Sequence, residues 1–246
     1  MKMSAMQKWM MAGLLWPVLA FANPEVKLEK APINPDNQAS LQRGARIFVN
    51  YCLNCHSASY MRYNRLMDIG LNADQIKANL LFAGEKVGDT MAVSMPHKEA
   101  KGWFGAAPPD LSVEARARGA DWLYGYLRGF YRDDTRPTGW NNTVYDKVAM
   151  PHVLWQLQGE QILKTEDKGD AHSAKAETHT LVLDKPGSMT TAEYNETVAD
   201  LVNYLVFMAE PAKNLRLHLG LIVLLFLGLM FIMAYYLKKE FWKDIH

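Results

Sequence analysis

The five residues Cys52-Leu53-Asn54-Cys55-His56 restrict this chain more than any other stretch. Two cysteines separated by two residues, with a histidine directly after the second, form the C-x-x-C-H pattern by which c-type haem is attached. Thiols three positions apart lie on one helical turn and can add to the two vinyl groups of one haem, while the histidine is carried beneath the iron as a ligand. The chain has no other cysteine, so attachment would leave neither a free thiol nor a disulfide.

Two other kinds of site use similar motifs, and the surrounding sequence disfavours both. A thioredoxin-like redox pair follows a strand in a βαβ unit, and the sequence shows no such pattern here. A zinc site needs a second pair of cysteine or histidine ligands at matching spacing, whereas the remaining histidines are scattered. The sequence therefore predicts one covalently attached haem c, with Cys52 and Cys55 as the attachment points and His56 as an iron ligand.

The amino end has the composition of an export signal. Lys2 and Lys8 precede an apolar run over 9–21, and Ala20-Phe21-Ala22 provides a cleavage site of small residues. An uncleaved anchor would need about 20 apolar residues, and this run is shorter. We therefore expect residues 1–22 to be a signal peptide.

The carboxyl end contains one long apolar segment. Residues 217–237 carry no formal charge and would form a helix of roughly 31 Å, enough to cross the hydrocarbon core of a bilayer. The lysines in 238–246 suit a cytoplasmic tail. With the export signal in front, we expect the domain over 23–216 to lie in the periplasm. The formal net charge of +1 and the lack of a basic block argue against a nucleic-acid partner.

Two helices are expected to bracket this domain. After a proline-punctuated lead-in over 23–39, Ser40 is expected to cap a helix that runs into the haem motif. Thr190 and Glu193 form a capping box at the start of the second helix. Its apolar stripe has helical spacing and consists of Tyr194, Val198, Leu201, Val202 and Leu205.

Small cytochromes c cross their first and last helices at a glycine–aromatic contact, and Gly44 with Tyr204 or Leu205 resembles that pair. The expected fold is therefore mainly α, a cytochrome c-like haem domain with long loop insertions and one C-terminal transmembrane helix. The elements predicted in between are a short helix at 72–82, a loop at 83–107, an aromatic-rich helix at 119–131 and a surface hairpin at 160–188.

A haem that only carries electrons needs a sixth ligand, and a methionine thioether is a common choice. Fourteen methionines are present, and two of them stand in the same tripeptide, Met95-Pro96-His97 and Met150-Pro151-His152. Polar and charged neighbours predict that Met95 faces solvent. Apolar neighbours on both sides of Met150 can form the dry wall that a thioether ligand requires, so Met150 is the predicted ligand.

Several stretches together resemble the cytochrome c1 family in its bacterial form, the haem subunit of ubiquinol–cytochrome c reductase. The last of them leads into the single apolar span, and their order along the chain is as telling as their content. They are Val49-Asn50-Tyr51-Cys52-Leu53-Asn54-Cys55-His56-Ser57, Ala107-Pro108-Pro109-Asp110-Leu111-Ser112, Val148-Ala149-Met150-Pro151 and Glu210-Pro211.

The resemblance implies roles for individual residues. It makes Cys52 and Cys55 the thioether links, His56 the proximal ligand and Met150 the distal ligand. It also places Pro108 and Pro109 against the haem and Arg116 near a propionate, with Arg118 close by. Two departures from mitochondrial members are visible, at Pro151-His152-Val153, where they have Ala-Pro-Pro, and at Tyr63-Asn64, where they have a tyrosine–arginine pair.

The function implied is that of an electron relay in the bc1 complex of a bacterial inner membrane, a redox subunit without bond-making chemistry of its own. The haem would take electrons from the Rieske iron–sulfur subunit and pass them to a soluble cytochrome c, while cytochrome b handles the quinol. The alternative is a membrane-anchored monohaem cytochrome c of a terminal oxidase or another reductase. A haem peroxidase is disfavoured, since one C-x-x-C-H does not supply a second haem and an enzyme needs an open sixth position.

Overall fold

The computed structural model describes residues 28–93, 95–168 and 176–243. The predicted signal peptide at 1–22 lies outside these residues, as do positions 244–246 of the predicted tail. Helices make up most of the regular structure within the described ranges, which confirms the predicted mainly α fold. They are α1 (Gln38–Ile47), α2 (Ala73–Asn79), α3 (His97–Phe104), α4 (Glu114–Arg118), α5 (Ala120–Arg128), α6 (Trp155–Gln158), α7 (Thr191–Ala209) and α8 (Lys213–Phe241).

Shorter elements connect these helices. A turn of π-helix over Phe48–Cys52 continues α1 into the haem motif, and a 3₁₀ helix covers Tyr63–Ile69. The strands of the described residues form three separate antiparallel pairs. These are β1 (Ala58–Arg62) with β2 (Thr90–Met91), β3 (Phe130–Arg132) with β4 (Trp140–Asn142), and β5 (Gly159–Lys168) with β6 (Ala176–Pro186).

The first and last helices of the haem domain, α1 and α7, cross at Gly44. A Cβ atom at Gly44 would overlap the Asp200 carbonyl and lie 2.7 Å from Tyr204 Cβ, so glycine is what lets the two backbones approach this closely. The Phe48 and Tyr204 rings pack beside the crossing with centroids 5.5 Å apart. The predicted glycine–aromatic contact is confirmed, with Tyr204 as the aromatic partner.

An ion pair reinforces the same crossing. Arg43 donates from Nε and Nη2 to the two carboxylate oxygens of the buried Asp200, at 2.5 and 2.9 Å. A two-pronged guanidinium–carboxylate pair fixes orientation as well as distance. The helix that carries the haem motif is therefore held rigidly against α7, whose residues form part of the cavity described below.

Of the two predicted helix N-caps, one is present as predicted and the other lies at a different residue. Thr190 and Glu193 form the predicted capping box of α7, and the apolar stripe of that helix is buried. Helix α1 begins earlier than predicted, because Asn37 is the N-cap and its side chain accepts from the Ser40 backbone N–H at 3.1 Å. Ser40 thus lies in the first turn of α1, where Asn203 Nδ2 donates to its hydroxyl at 2.9 Å.

The middle of the chain contains more regular structure than predicted. The stretch 83–107, expected as loop, contains β2 and α3. The aromatic-rich helix stops at Arg128 instead of 131, and Phe130 begins a strand. Gly129 makes this change of direction possible, since a Cβ there would lie 2.6 Å from Thr143 Oγ1. The predicted hairpin at 160–188 is confirmed by the pairing of β5 with β6.

Helix α8 fits a single transmembrane helix. Its apolar part runs over Leu215–Phe241, and none of its most apolar stretch is buried against the rest of the protein. Its 27 residues would extend about 40 Å, somewhat longer than a bilayer core. The segment predicted at 217–237 lies inside this helix.

Candidate haem site

The two cysteines and the histidine of the motif converge because the chain turns sharply after α1. The backbone N–H groups of Cys55 and His56 both donate to the Cys52 carbonyl, at 3.1 and 2.9 Å. Cys52 is buried and Cys55 is half-buried, and both line one cavity with His56. Burial raises the pKa of the Cys52 thiol to about 12 and also raises that of Cys55. A redox dithiol needs a stabilised thiolate, so this environment speaks against thioredoxin-like chemistry.

His56 is held in the form that binds a metal. Its Nδ1 lies 2.7 Å from the Pro109 carbonyl oxygen, which can only accept a hydrogen bond. Nδ1 therefore carries the proton, and Nε2 keeps a free electron pair that can bind a metal. Burial lowers the pKa of the imidazole, against the weaker opposing effect of that hydrogen bond. Pro109 therefore contributes through its backbone carbonyl, which orients the proposed ligand.

The cavity itself has a volume of about 280 Å³ and mostly apolar walls. Helix α5 supplies one wall, α7 another, and the stretches around Pro108 and Met150 close further sides. Of the residues predicted from the sequence, it brings together Cys52, Cys55, His56, Pro108, Pro109 and Met150. Two thiols, one imidazole with a free Nε2 and one thioether around an apolar cavity are the donor set of a c-type haem with histidine and methionine ligands, so these residues fit that group.

Met150 and Met95 differ in their relation to this cavity. Met150 lines it, and the Tyr126 hydroxyl donates to the Met150 sulfur at 3.4 Å. Met150 also packs against a small buried cluster formed by Phe130, Trp140 and Val148. Met95 is half-buried and is not among the residues that line the cavity. Tyr126 belongs to the aromatic-rich helix that the sequence predicted, but nothing in the sequence indicated its contact with the sulfur.

Arg116, predicted to lie near a propionate, is not among the residues that line the cavity. Its side chain is 67% exposed and lies 3.6 Å from Glu210, an acid that also pairs with Arg216. Arg118 lines the cavity instead, donates to Glu114 at 3.0 Å, and stacks over the Trp122 ring at 4.9 Å. Residues two apart on a helix point in different directions, so α4 turns only one of the two arginines towards the cavity.

His152 is a buried residue to which the sequence assigned no role. It stacks against Phe130 and meets Trp140 edge-on, and burial lowers the pKa of its imidazole to about 4. Arg118, Trp122, Tyr126 and Phe130 recur every fourth residue and each contacts the next, but this spacing does not by itself indicate the contact between Phe130 and His152. This row of side chains links Arg118 to Tyr126, whose hydroxyl reaches the Met150 sulfur.

Comparison with known proteins identifies this arrangement. The model of the family described as "Cytochrome C1 family" matches residues 29–90 and 82–245. The chain belongs to the cytochrome c1 family. It is 47% identical to cytochrome c1 of Allochromatium vinosum over 89% of this chain and 90% of that protein, and 31% identical to cytochrome c1 of Rhodospirillum rubrum over 85% and 83%. It is also 54% identical to a Nitrosomonas europaea protein named ammonia monooxygenase gamma subunit, over 96% and 97%.

Membership of the cytochrome c1 family settles the general function. The chain is the electron-transfer haem subunit of a bc1 complex, in which it works together with a cytochrome b. It carries a covalently bound haem c, consistent with the cysteine pair at 52 and 55. Within the part of the chain that the structure describes, helix α8 and the family together fit a single-pass membrane protein.

Proposed function

We propose that Cys52 and Cys55 form the thioether links to the haem and that His56 and Met150 are its axial ligands. The observation that carries this proposal is the convergence of all four side chains on one apolar cavity, with the His56 tautomer already fixed by Pro109. When bound, the haem supplies an iron centre that gains and loses a single electron. The protein supplies the two ligands, their orientation and the dry surroundings.

The remaining cavity residues adjust the properties of that centre. The Pro109 carbonyl holds His56 Nδ1–H and so keeps Nε2 directed at the metal position. The Tyr126 hydroxyl restrains the Met150 sulfur. The apolar walls limit the entry of water, which would otherwise compete for the sixth position and lower the potential. If His56 and Met150 both hold the iron, no position would remain open for a small molecule, so the site would be suited to moving electrons.

Arg118 is proposed as the partner of a haem propionate, in place of Arg116. It lines the cavity near Glu114, where its guanidinium is restrained by that carboxylate and by Trp122. A fixed guanidinium beside the cavity offers charge-assisted hydrogen bonds to an anionic group. Pro108, which also lines the cavity, is proposed to pack against the haem plane.

The partners and the orientation form a further part of the proposal. The electron donor is the Rieske iron–sulfur subunit and the acceptor is a soluble cytochrome c, with the haem domain over 23–216 in the periplasm of a bacterial cell. The orientation is supported by the export-type amino end at 1–22 and by the lysines in the tail at 238–246. Protease added to spheroplasts should then degrade the haem domain and spare the tail.

One purification tests the assembly. Extracted from membranes in mild detergent by a tag on this chain, the protein should come out with haem b and an iron–sulfur protein, and the preparation should reduce cytochrome c with quinol. Recovery of this chain alone, or with oxidase subunits, would support the rival monohaem cytochrome. Recovery with ammonia monooxygenase subunits would favour the role named for the Nitrosomonas europaea relative.

A further inference from the structure

The imidazole of His152 is packed as an aromatic ring. The residue is 2% exposed. Its ring lies parallel to Phe130, with centroids 4.8 Å apart and planes 3° apart, and it meets Trp140 edge-on at 5.0 Å and 81°. Both arrangements are favourable for aromatic pairs. His152 is thus fixed from two sides by residues of the paired strands β3 and β4.

No hydrogen bond of good geometry fixes the Nε2 atom of His152. Both His152 Nε2 and Gln158 Oε1 are buried without such a bond, although the Gln158 side chain acts on the imidazole and opposes the lowering of its pKa by burial. A buried polar atom without a good hydrogen bond is unfavourable. His152 is also absent from the residues that line the haem cavity. The contacts that hold this side chain in place are therefore those of its flat ring with Phe130 and Trp140.

The two ends of the tripeptide are held by neighbouring members of the same aromatic row. Tyr126 bonds the Met150 sulfur at 3.4 Å, and Phe130, four residues later, stacks on His152. The rings of Tyr126 and Phe130 are themselves in contact, with centroids 5.2 Å apart. Between Met150 and His152 stands Pro151, whose ring fixes its own φ and restricts the residue before it. A stiff link of this kind transmits the position of His152 to Met150.

We propose that His152 is a positioning residue for the Met150 thioether, acting through its ring, which stacks on Phe130 and meets Trp140 edge-on. The ring anchors the far end of the tripeptide, so that the sulfur stays directed into the cavity. This inference rests on the proposed ligation of iron by Met150. Its loss should release the sulfur without affecting covalent haem attachment.

The test uses the full-length haem-loaded protein in detergent. His152→Ala should lose most of the sulfur–iron charge-transfer absorbance of the ferric form, and most ferrous molecules should bind carbon monoxide. His152→Phe retains a flat ring and removes the unpaired nitrogen, so it should keep the absorbance and exclude carbon monoxide. The matched control is His97→Ala, which alters the exposed histidine of the other Met-Pro-His tripeptide and should change neither signal.

Each outcome decides the proposal. It is overturned if His152→Ala keeps the charge-transfer band even when its melting temperature falls, since that is the result of a purely structural role. It is also overturned if His152→Phe loses the band as fully as His152→Ala. Should His152→Ala fail to fold, Phe130→Leu removes the stacking partner instead, and an intact band in that variant would refute the idea. Met150→Leu distinguishes failure of the positioning role from failure of the proposed ligation. If that variant keeps the band, Met150 is not the iron ligand.

Discussion

The two Met-Pro-His tripeptides of this chain share three residues and have opposite surroundings. In the first, Met95 is half-buried away from the haem cavity, and His97 is exposed at the start of α3. In the second, Met150 lines the cavity and His152 is almost completely buried. Local backbone preference is the same in both, since a proline restricts the preceding residue in each. The difference lies in what the rest of the fold brings to them.

The second tripeptide packs against side chains that come from other parts of the chain. Tyr126 comes from α5, Phe130 from β3 and Trp140 from β4, and together they enclose the segment from Met150 to His152. The first tripeptide leads into a short helix on the outside of the protein. A thioether becomes a metal ligand only where such a surface keeps water away and holds the sulfur in place.

The largest expected effect comes from removing the two methionines separately. Met150→Leu should keep covalent haem, lose the sulfur–iron charge-transfer band and lower the reduction potential by more than about 100 mV, because the axial ligand is a main determinant of haem potential. Leucine has nearly the same volume, so the fold should survive. Potentiometric titration and the ferric absorption spectrum give the measurement.

Met95→Leu is the matched control for that experiment. It changes the same residue type in the same tripeptide, and both the potential and the spectrum should stay those of the unmodified protein. Collapse of the band in this variant, with an intact band in Met150→Leu, would exchange the roles of the two tripeptides and invalidate the proposed haem site.

A second pair of similar residues, Arg116 and Arg118, extends the comparison with a smaller expected effect. Arg118→Gln should lower the potential by about 20–40 mV, since a partly exposed ion pair is worth up to about 1 kcal/mol and 1.4 kcal/mol corresponds to 59 mV for one electron. The sign follows from the lost positive charge, whose removal stabilises the ferric state. Redox titration at low and high salt should show the effect shrinking as screening increases.

Arg116→Gln supplies the control for the arginine experiment. Its potential should stay within about 10 mV of the unmodified value, because the Arg116 side chain is 67% exposed and pairs with Glu210 outside the cavity. A larger shift in Arg116→Gln than in Arg118→Gln would restore the assignment that the sequence first suggested.

These pairs of residues show which features of the fold and the site could be predicted from the sequence. Features that depend on neighbours in the chain were predictable: the haem motif, the capping box at Thr190 and the apolar helix α8. The crossing at Gly44 was predictable as well, since a known packing pattern accompanies the motif in small cytochromes c.

What the sequence did not supply depends on contacts between distant parts of the chain. Arg116 pairs with Glu210, which lies at the end of α7. Phe130 belongs to a strand because β4 pairs with it, although its local pattern continues α5. The buried state of His152 requires Phe130 and Trp140 together. None of these contacts has a local signature, so a single sequence could not supply them.

The smallest expected effect concerns the contact that distinguishes Met150 most directly, the hydrogen bond from Tyr126. Burial raises the pKa of this phenol, so it remains a protonated donor throughout the usual pH range. Tyr126→Phe keeps the ring that stacks on Trp122 and meets Phe130 edge-on, and it removes only the hydroxyl. Tyr124→Phe is the control, because Tyr124 lies on the same helix but does not line the cavity.

The potential of Tyr126→Phe should fall by less than about 20 mV, because a net hydrogen bond is worth about 1 kcal/mol, sulfur is a weak acceptor, and only the difference between the two oxidation states counts. The fall has a physical cause: without the donor, the sulfur gives more electron density to iron and favours the ferric state. The charge-transfer band should remain, shifted in position. If the band vanished, the Tyr126 hydroxyl alone would position the sulfur, and the positioning role assigned to His152 would be wrong. If the potential rose, the hydroxyl would not be donating to the sulfur in the haem-loaded protein.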